Sequence, residues 1–515
     1  MRSQQLLTAL TITSIAGFAL FAVTITYIDK PLWIDELHTS WTIHGEFADI
    51  IPRGNAGNQA PLYYFILKAV TEFAGSSELV LRSFSVISTI ACIALMTGWG
   101  VMKKVHPVLL GSVMVMFATD RLVTLFALEA RPYAFLMFLT ILLFTLQTTR
   151  IQHFPARVLK EVMWTLCATA MFYTHYTALP IIVVLFLSRV AFRNDNQIAI
   201  KLLMLQFVTI VAFAVGRLDH FTAVFAMRDN WATFIKPERA TFEGLATSFP
   251  VIALVMIPCG LLLLDHFLQK HQANTKPEIH VGRSPSDSSI KTLFTWGLLP
   301  LLTAWICTRF ELVNWFFPRY LITIAPAFYL LFCVAISRLQ RPVIKIMGFL
   351  IVICTWGVFG HSVKERYLAE TVTVKREAWK QIVQYLNAQT GSGNVLLMSG
   401  LIEDPQLTSP QVVQSSSVPL QQYCQFPVRG LYNLEQRWNV TALSSTEPSA
   451  VTLLPYLKTP RTWAIVRGSR RILQWEQITQ TTFDKQQYSR IDFPGNVALF
   501  TWRKQNHYDR AQTVR

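Results

Sequence analysis

The sequence predicts an all-α membrane protein of about eleven transmembrane helices, followed by a small α/β domain outside the membrane. Three observations predict it. The 515 residues are 52% hydrophobic and only 15% charged, too little charge to cover a soluble protein of that length. Apolar runs near bilayer length follow one another along roughly the first 361 residues. From about residue 362 the composition turns polar, and the pattern becomes strand, helix, strand.

The runs lie at about 6–28, 79–101, 106–119, 132–149, 162–175, 178–192, 202–218, 249–268, 293–308, 321–338 and 346–361. The third and fifth carry the weakest pattern. The first is too long for a signal-peptide core, and no small-residue cleavage site follows it, so it reads as a retained span. Lysine and arginine set the orientation. With the amino terminus in the cytoplasm, the loops on that side hold roughly 16 basic against about 5 acidic residues, and the opposite side roughly 10 against about 14. An odd number of spans then puts the carboxyl terminus outside. The large outer loops are 29–78 and 219–248. The first contains PLYYFILKAVTEF, whose apolar residues recur at helical spacing and suit the membrane interface. The cytoplasmic segment 269–292, rich in Ser, Pro, Lys and His, reads as a mobile loop.

In the tail, KREAWKQIVQYLNAQ reads as a helix ended by Gly391 and Gly393. NVLLMSG reads as a buried strand, and TWAIVRG, the helix-like RRILQWEQITQ and the alternating VALFTWR continue the pattern. The expected domains are 1–361 and 362–515. Of the seven cysteines, Cys424 stands alone in the tail and the others fall in apolar runs. They form no pairing framework and read as small hydrophobes. The net charge of +16 is spread through short loops between apolar runs, which topology explains and which argues against nucleic-acid binding.

Four clusters could carry chemistry. The acidic pair Asp35-Glu36 lies in WIDELHTSW, just past the first run and framed by Trp33 and Trp41. LEARPY supplies Glu129, Arg131 and Tyr133; THYTALP supplies His175 and Tyr176; FFPRYL supplies Arg319 and Tyr320. The topology, drawn from other loops, puts all four at the outer face. Carboxylates at a membrane face are costly and need a reason to be there. A carboxylate takes a proton from an attacking hydroxyl, an arginine fork holds phosphate, and tyrosine or tryptophan stacks on a sugar at the interface. Duller roles compete. Arg131 has Glu129 as a structural partner, Arg82 has Glu78, Arg319 suits a helix anchor, and His175 an interfacial polar residue. Asp219, His220, Arg228 and Asp229 read as acceptor contacts or as solvated side chains, and Asn439-Val440-Thr441 matches a glycosylation acceptor that matters only in a secretory pathway. There is no Gly-rich phosphate loop and no nucleophile elbow. Nothing in the spacing of Asp35, Glu36 and His175 demands a metal, and a divalent cation is left open.

With these pieces in this order, the chain resembles the GT-C glycosyltransferases that use a polyprenyl-phosphate sugar. The likeness is to bacterial members of the protein O-mannosyltransferase family (glycosyltransferase family 39), with the aminoarabinose transferase of lipid A as a relative. It runs along roughly the first 385 residues, through WIDELHTSW, APLYYFILKAVTEFAGSSELVLRSFS, ALEARPYAFLMFLTILL, HYTALP, PRYLITIAPAFYLL and REAWKQIVQYL. Leu128 stands where many bacterial relatives carry Gln, and the lumenal repeat domain of eukaryotic members is missing. The resemblance implies a GT-C membrane fold with outer loop 29–78 over the active site, in the bacterial cytoplasmic membrane. Asp35 takes the family's base position and Glu36 its neighbour. A sugar passes with inversion from a polyprenyl-phosphate donor to a glycan, lipid or protein acceptor. Arg131 and Arg319 hold the donor phosphate, with Tyr133, Tyr320, Glu129 and Arg82 in support. His175, Tyr176, Tyr63 and Trp33 are candidate substrate contacts. The rivals are a flippase for lipid-linked glycans, which calls for polar groups at mid-membrane and broken helices in matching halves, and a non-catalytic envelope assembly protein, which needs no such clusters.

Overall fold

The computed structural model describes residues 3–57, 59–149, 151, 153–192, 200–226, 238, 240–247, 252–273, 287–359, 377–401, 404, 407, 420–444, 461–482 and 488–502. Arg228, Asp229 and residues 274–286 of the segment read as mobile lie outside the described residues. The chain forms two compact units: Met1–Asp29 with Asn58–Leu368, and Lys30–Gly57 with Ala369–Arg515. Much of the first outer loop thus groups with the carboxyl-terminal domain, a division that differs from a boundary near 361.

In the first unit every apolar run falls on a helix, but the expected eleven spans do not appear as eleven full-length helices. Among the described residues four helices are long and apolar enough to cross a bilayer, or up to six if each of two bent pairs counts as one span. Shorter apolar helices account for other runs, including Tyr133–Thr148 and Pro342–Cys354. The first bend has a chemical cause. Helix α6 (Pro107–Ala118) ends at Thr119, and the Asp120 carboxylate then accepts the Leu122 and Val123 amides at 2.8 and 3.2 Å, starting α7 (Arg121–Ala127) at 60°. Asp120 is buried, and its other oxygen accepts from Tyr329, whose hydroxyl accepts from the Trp356 indole, each at 2.8 Å. One carboxylate thereby ties the break to two further helices. The helices Ile200–Val215 and Leu218–Ala226 form the second bent pair, at 65°.

The span Pro318–Arg338 is the core of the bundle, with 83% of its apolar window buried, whereas Ser3–Thr24 has 22% and lies at the edge. The edge helix turns Leu7, Phe18 and Phe21 outward, as lipid contact requires. Buried charge is paired: Arg189 meets Glu161, lies 4.3 Å over the Trp164 ring, and Gln206 donates to the same carboxylate at 3.2 Å. Close helix approach depends on small residues. A Cβ at Gly297 would stand 2.8 Å from the Phe328 ring.

The second unit is built on a five-stranded sheet of order β2-β1-β3-β5-β4, from β1 (Gly393–Met398), β2 (Trp438–Ala442), β3 (Thr462–Arg467), β4 (Tyr488–Phe493) and β5 (Val497–Trp502). β2, β1 and β3 are parallel, with Val395 opposite Val440 and Trp463, and β5 and β4 add antiparallel. Central β3 is buried along nearly its whole length, as a strand covered on both faces must be. Trp475, on helix Ser469–Thr482, covers one face, 6.2 Å from Phe500. The glycosylation-like Asn439 lies in edge strand β2 with its side chain exposed.

Replacing Gly297 by Val should lower stability by about 1–3 kcal/mol, because the Phe328 ring has to move. Thermal unfolding of the detergent-solubilised protein measures it, and an unchanged midpoint would refute the close helix approach at this point.

Candidate functional site

The sequence clusters divide between the two units. In the second unit, Asp35 and Glu36 open helix α2 (Ile34–Ile43). A helix leaves its first amides without intrahelical partners, and here two carboxylates take them. Glu36, 1% exposed, turns back to accept the Trp33 amide at 3.2 Å. Glu377 accepts the Ile34 amide at 2.9 Å from 343 residues away. Asp35, between them, is half-buried. The pair that looked equivalent in sequence therefore divides: Glu36 closes its own helix, and Asp35 does not.

In the sequence Glu377 is marked only as the opening of a helix, with no chemical role. The oxygen that accepts Ile34 also accepts the Trp379 indole at 2.7 Å, and the other accepts Arg467 Nε at 2.6 Å. Burial pushes the Glu377 carboxyl above its usual range; Arg467 and the Trp379 indole oppose the rise, and the Asp35 charge adds to it. The rest of α2 is fastened by packing. Trp41 lies 4.3 Å and His38 5.4 Å from the Tyr423 ring of helix Leu420–Arg429. Arg53 lies 5.4 Å over Trp41 and donates to its carbonyl at 2.9 Å. Just before the helix, the Leu32 amide donates to the Tyr432 hydroxyl at 2.7 Å, while Trp33 is half-buried.

In the first unit, three separate loops bring arginine, tyrosine and histidine together. Glu129 and Arg131 occupy the tight turn between α7 and helix Tyr133–Thr148, both buried. Ser85 holds that turn, its hydroxyl 2.6 Å from the Glu129 carbonyl. Arg131 lies 5.9 Å from the Tyr133 ring, Tyr133 5.4 Å from His175, and His175 6.3 Å from Tyr320. Arg319 lies 6.0 Å from Tyr320 and 5.0 Å from Phe317. Both guanidinium charges act on the His175 ring. The Thr177 amide donates to His175 Nδ1 at 3.3 Å, which makes Nδ1 an acceptor and puts the ring proton of the neutral imidazole on Nε2. Two cations beside a neutral imidazole and two phenols suit a divalent oxyanion such as a phosphate ester.

The other candidates go elsewhere. Tyr176, next to His175, bonds His220 Nδ1 at 2.6 Å, which Arg217 also approaches at 3.0 Å. Arg82 is buried and donates to the Tyr27 and Ile28 carbonyls at 3.4 and 3.2 Å, anchoring the chain that leaves the first span. Tyr63 is buried in an aromatic column with Tyr64 and Phe84 at 5.3 and 5.7 Å. Among the described residues no group of three or more His, Cys, Asp or Glu is placed to hold a metal.

The fold matches that of ArnT from Cupriavidus metallidurans in the apo state, with a TM-score of 0.53 at 10% identity over 96% of this chain and 97% of that one. The two chains share a fold along nearly their whole lengths. The structure of ArnT from the same organism bound to undecaprenyl phosphate aligns over the same shares, with a TM-score of 0.49 at 11% identity. The likeness carries the fold, and not the narrower mannosyltransferase-like kinship. No family model and no curated protein matches the chain significantly.

The raised Glu377 carboxyl has a consequence for stability. Its folded pKa lies above the ordinary 4.5, so between the two values the native state keeps a proton that the unfolded chain has released. The contribution is present below 4.5 and is lost as pH rises from there through the folded value. Unfolding midpoints of wild type and Glu377→Gln, compared across that window, should show wild type losing ground to the variant as pH rises. Parallel curves would overturn the assignment.

Proposed function

We propose that this protein is an integral membrane glycosyltransferase that moves a sugar from a polyprenyl-phosphate carrier to an acceptor outside the cytoplasm. The observation that carries the reading is the cluster of Arg131, Tyr133, His175, Tyr320 and Arg319, assembled from three loops. The fold shared with ArnT supports it. In this reading the cytoplasmic membrane holds the protein with its amino terminus inside and its sheet domain outside, as the lysine and arginine asymmetry of the loops suggests.

The chemistry is a single inverting displacement. The acceptor oxygen attacks the anomeric carbon as its proton passes to Asp35, and the bond from that carbon to the phosphate oxygen breaks with its electron pair going to the phosphate. Arg131 and Arg319 stabilise the charge growing on that leaving group, so no general acid is needed. Tyr133 and Tyr320 supply sugar or phosphate contacts, and the neutral His175 donates from Nε2. Glu36 closes its helix and takes no proton. Acceptor and sugar belong to a class and not to one compound: a hydroxylic or phosphorylated glycan, lipid or protein, and a hexose or pentose.

The two bent helix pairs favour one other reading, a flippase, since broken helices are a transporter trait. Transfer assays separate the two. Membranes carrying wild type, Asp35→Asn, Glu36→Gln or Arg131→Ala receive undecaprenyl-phosphate mannose, glucose or aminoarabinose, tritiated in the sugar, with a mixed envelope extract. Asp35→Asn should lose roughly 10²–10⁴-fold of transfer and Arg131→Ala roughly 10²–10³-fold, at normal protein level. Full transfer by Asp35→Asn removes the base, and no transfer by wild type from any donor selects the flippase.

A further inference from the structure

We infer that Glu377, gripped by Arg467, is the positioning residue for the Asp35 carboxylate. The inference rests on the reading of Asp35 as the base.

The geometry begins at the Ile34 amide, the backbone group one residue before Asp35. Its acceptor is supplied by a side chain 343 residues away, so the start of the acidic helix is placed by the sheet domain and not by its own sequence. The grip continues into the sheet. Arg467 is the last residue of β3, and besides Glu377 it reaches the Ser399 and Gly400 carbonyls just past β1, each at 3.4 Å. In the order β2-β1-β3 the chain leaves β1 for one side and returns from β2 on the other. The carboxyl ends of β1 and β3 therefore flank a topological switch point, where open α/β sheets bind their ligands. Here that position is taken by the chain's own Glu377, and through it by the first turn of α2. Both oxygens of Glu377 are engaged, the carboxyl is buried, and its backbone is tied as well, since the next amide, of Ala378, donates to the Pro494 carbonyl at 3.1 Å. A helix start held at this many points leaves Asp35 little freedom to wander, which is what a base requires.

The same arrangement bears on acidity. The Asp35 charge makes the Glu377 carboxyl harder to ionise. Other charges surround this corner. Helix α2 itself carries Glu36 and His38, and the segment after it carries Asp49 and Arg53, paired at 3.4 Å. Helix Leu420–Arg429 brings Tyr423 and Arg429, and behind Arg467 stand Arg471 and Asp404, which interact with each other.

The experiment uses the full-length protein in detergent with whichever tritiated undecaprenyl-phosphate sugar wild type transfers. Glu377→Gln keeps the shape but puts an amide where two oxygens accepted three donors. It should lower kcat roughly 10–100-fold with the donor KM unchanged. Glu377→Asp keeps the charge and shortens the reach, so it should also lower kcat with the donor KM unchanged. It also decides the matter if Glu377→Gln does not fold. A purely structural role would lower the folded fraction and leave kcat per folded molecule unchanged. Wild-type kcat per folded molecule in Glu377→Gln or in Glu377→Asp, beside an inactive Asp35→Asn, would overturn this inference alone. Activity in Asp35→Asn would overturn the proposed function instead.

Discussion

The structure of the acidic end of this protein depends on one buried carboxylate. Glu377 binds a backbone amide, an indole and a guanidinium at once, and each of those belongs to a different stretch of chain. Without it, Arg467 would keep a charge in a largely buried corner with its principal partner gone, and the start of α2 would expose an unsatisfied amide. Such groups cost several kcal/mol together, comparable with a large part of a domain's net stability. The interaction therefore decides whether the segment Lys30–Gly57 is a flexible loop or part of a folded unit. It is part of a folded unit.

The membrane unit solves a different problem with the same tools. Cations are expensive near hydrocarbon unless something spreads their charge. Arg131 and Arg319 are placed over aromatic faces, which offer a diffuse negative surface without neutralising the arginine. The pair Glu161–Arg189 shows a second way within the same fold: there the two charges close on each other, and Gln206 of a third helix joins them.

Much of this was legible in the sequence, for reasons that differ by element. Apolar runs revealed the helices because burial in lipid demands continuous hydrophobicity. They could not reveal the bend at Asp120, since a single carboxylate that starts a helix barely lowers a window average. The strands at Val395, Ala464 and Leu499 were visible as apolar runs, whereas β2 was not: WNVTA alternates weakly and its Asn439-Val440-Thr441 reads as a surface signal. The convergence of Arg131, His175 and Arg319 followed from topology alone, because loops on one side of a bundle end at one surface. Tyr176 escaped the same logic. It is one residue from His175, and a tight turn sends neighbouring side chains in different directions. Glu377 was hidden for the plainest reason: nothing local marks a residue whose partner lies 343 positions away.

That separation governs how the protein is made. Ribosomes add roughly 5–20 residues per second, so the Ile34 amide waits on the order of 17–70 s for its acceptor to be synthesised. During that time every membrane helix between them can insert, but the helix bearing the acidic pair has no sheet to dock on. A nascent chain stalled before residue 377 holds its apolar helices while the acidic helix is still unanchored. The second unit cannot close around that helix until Glu377 has been made.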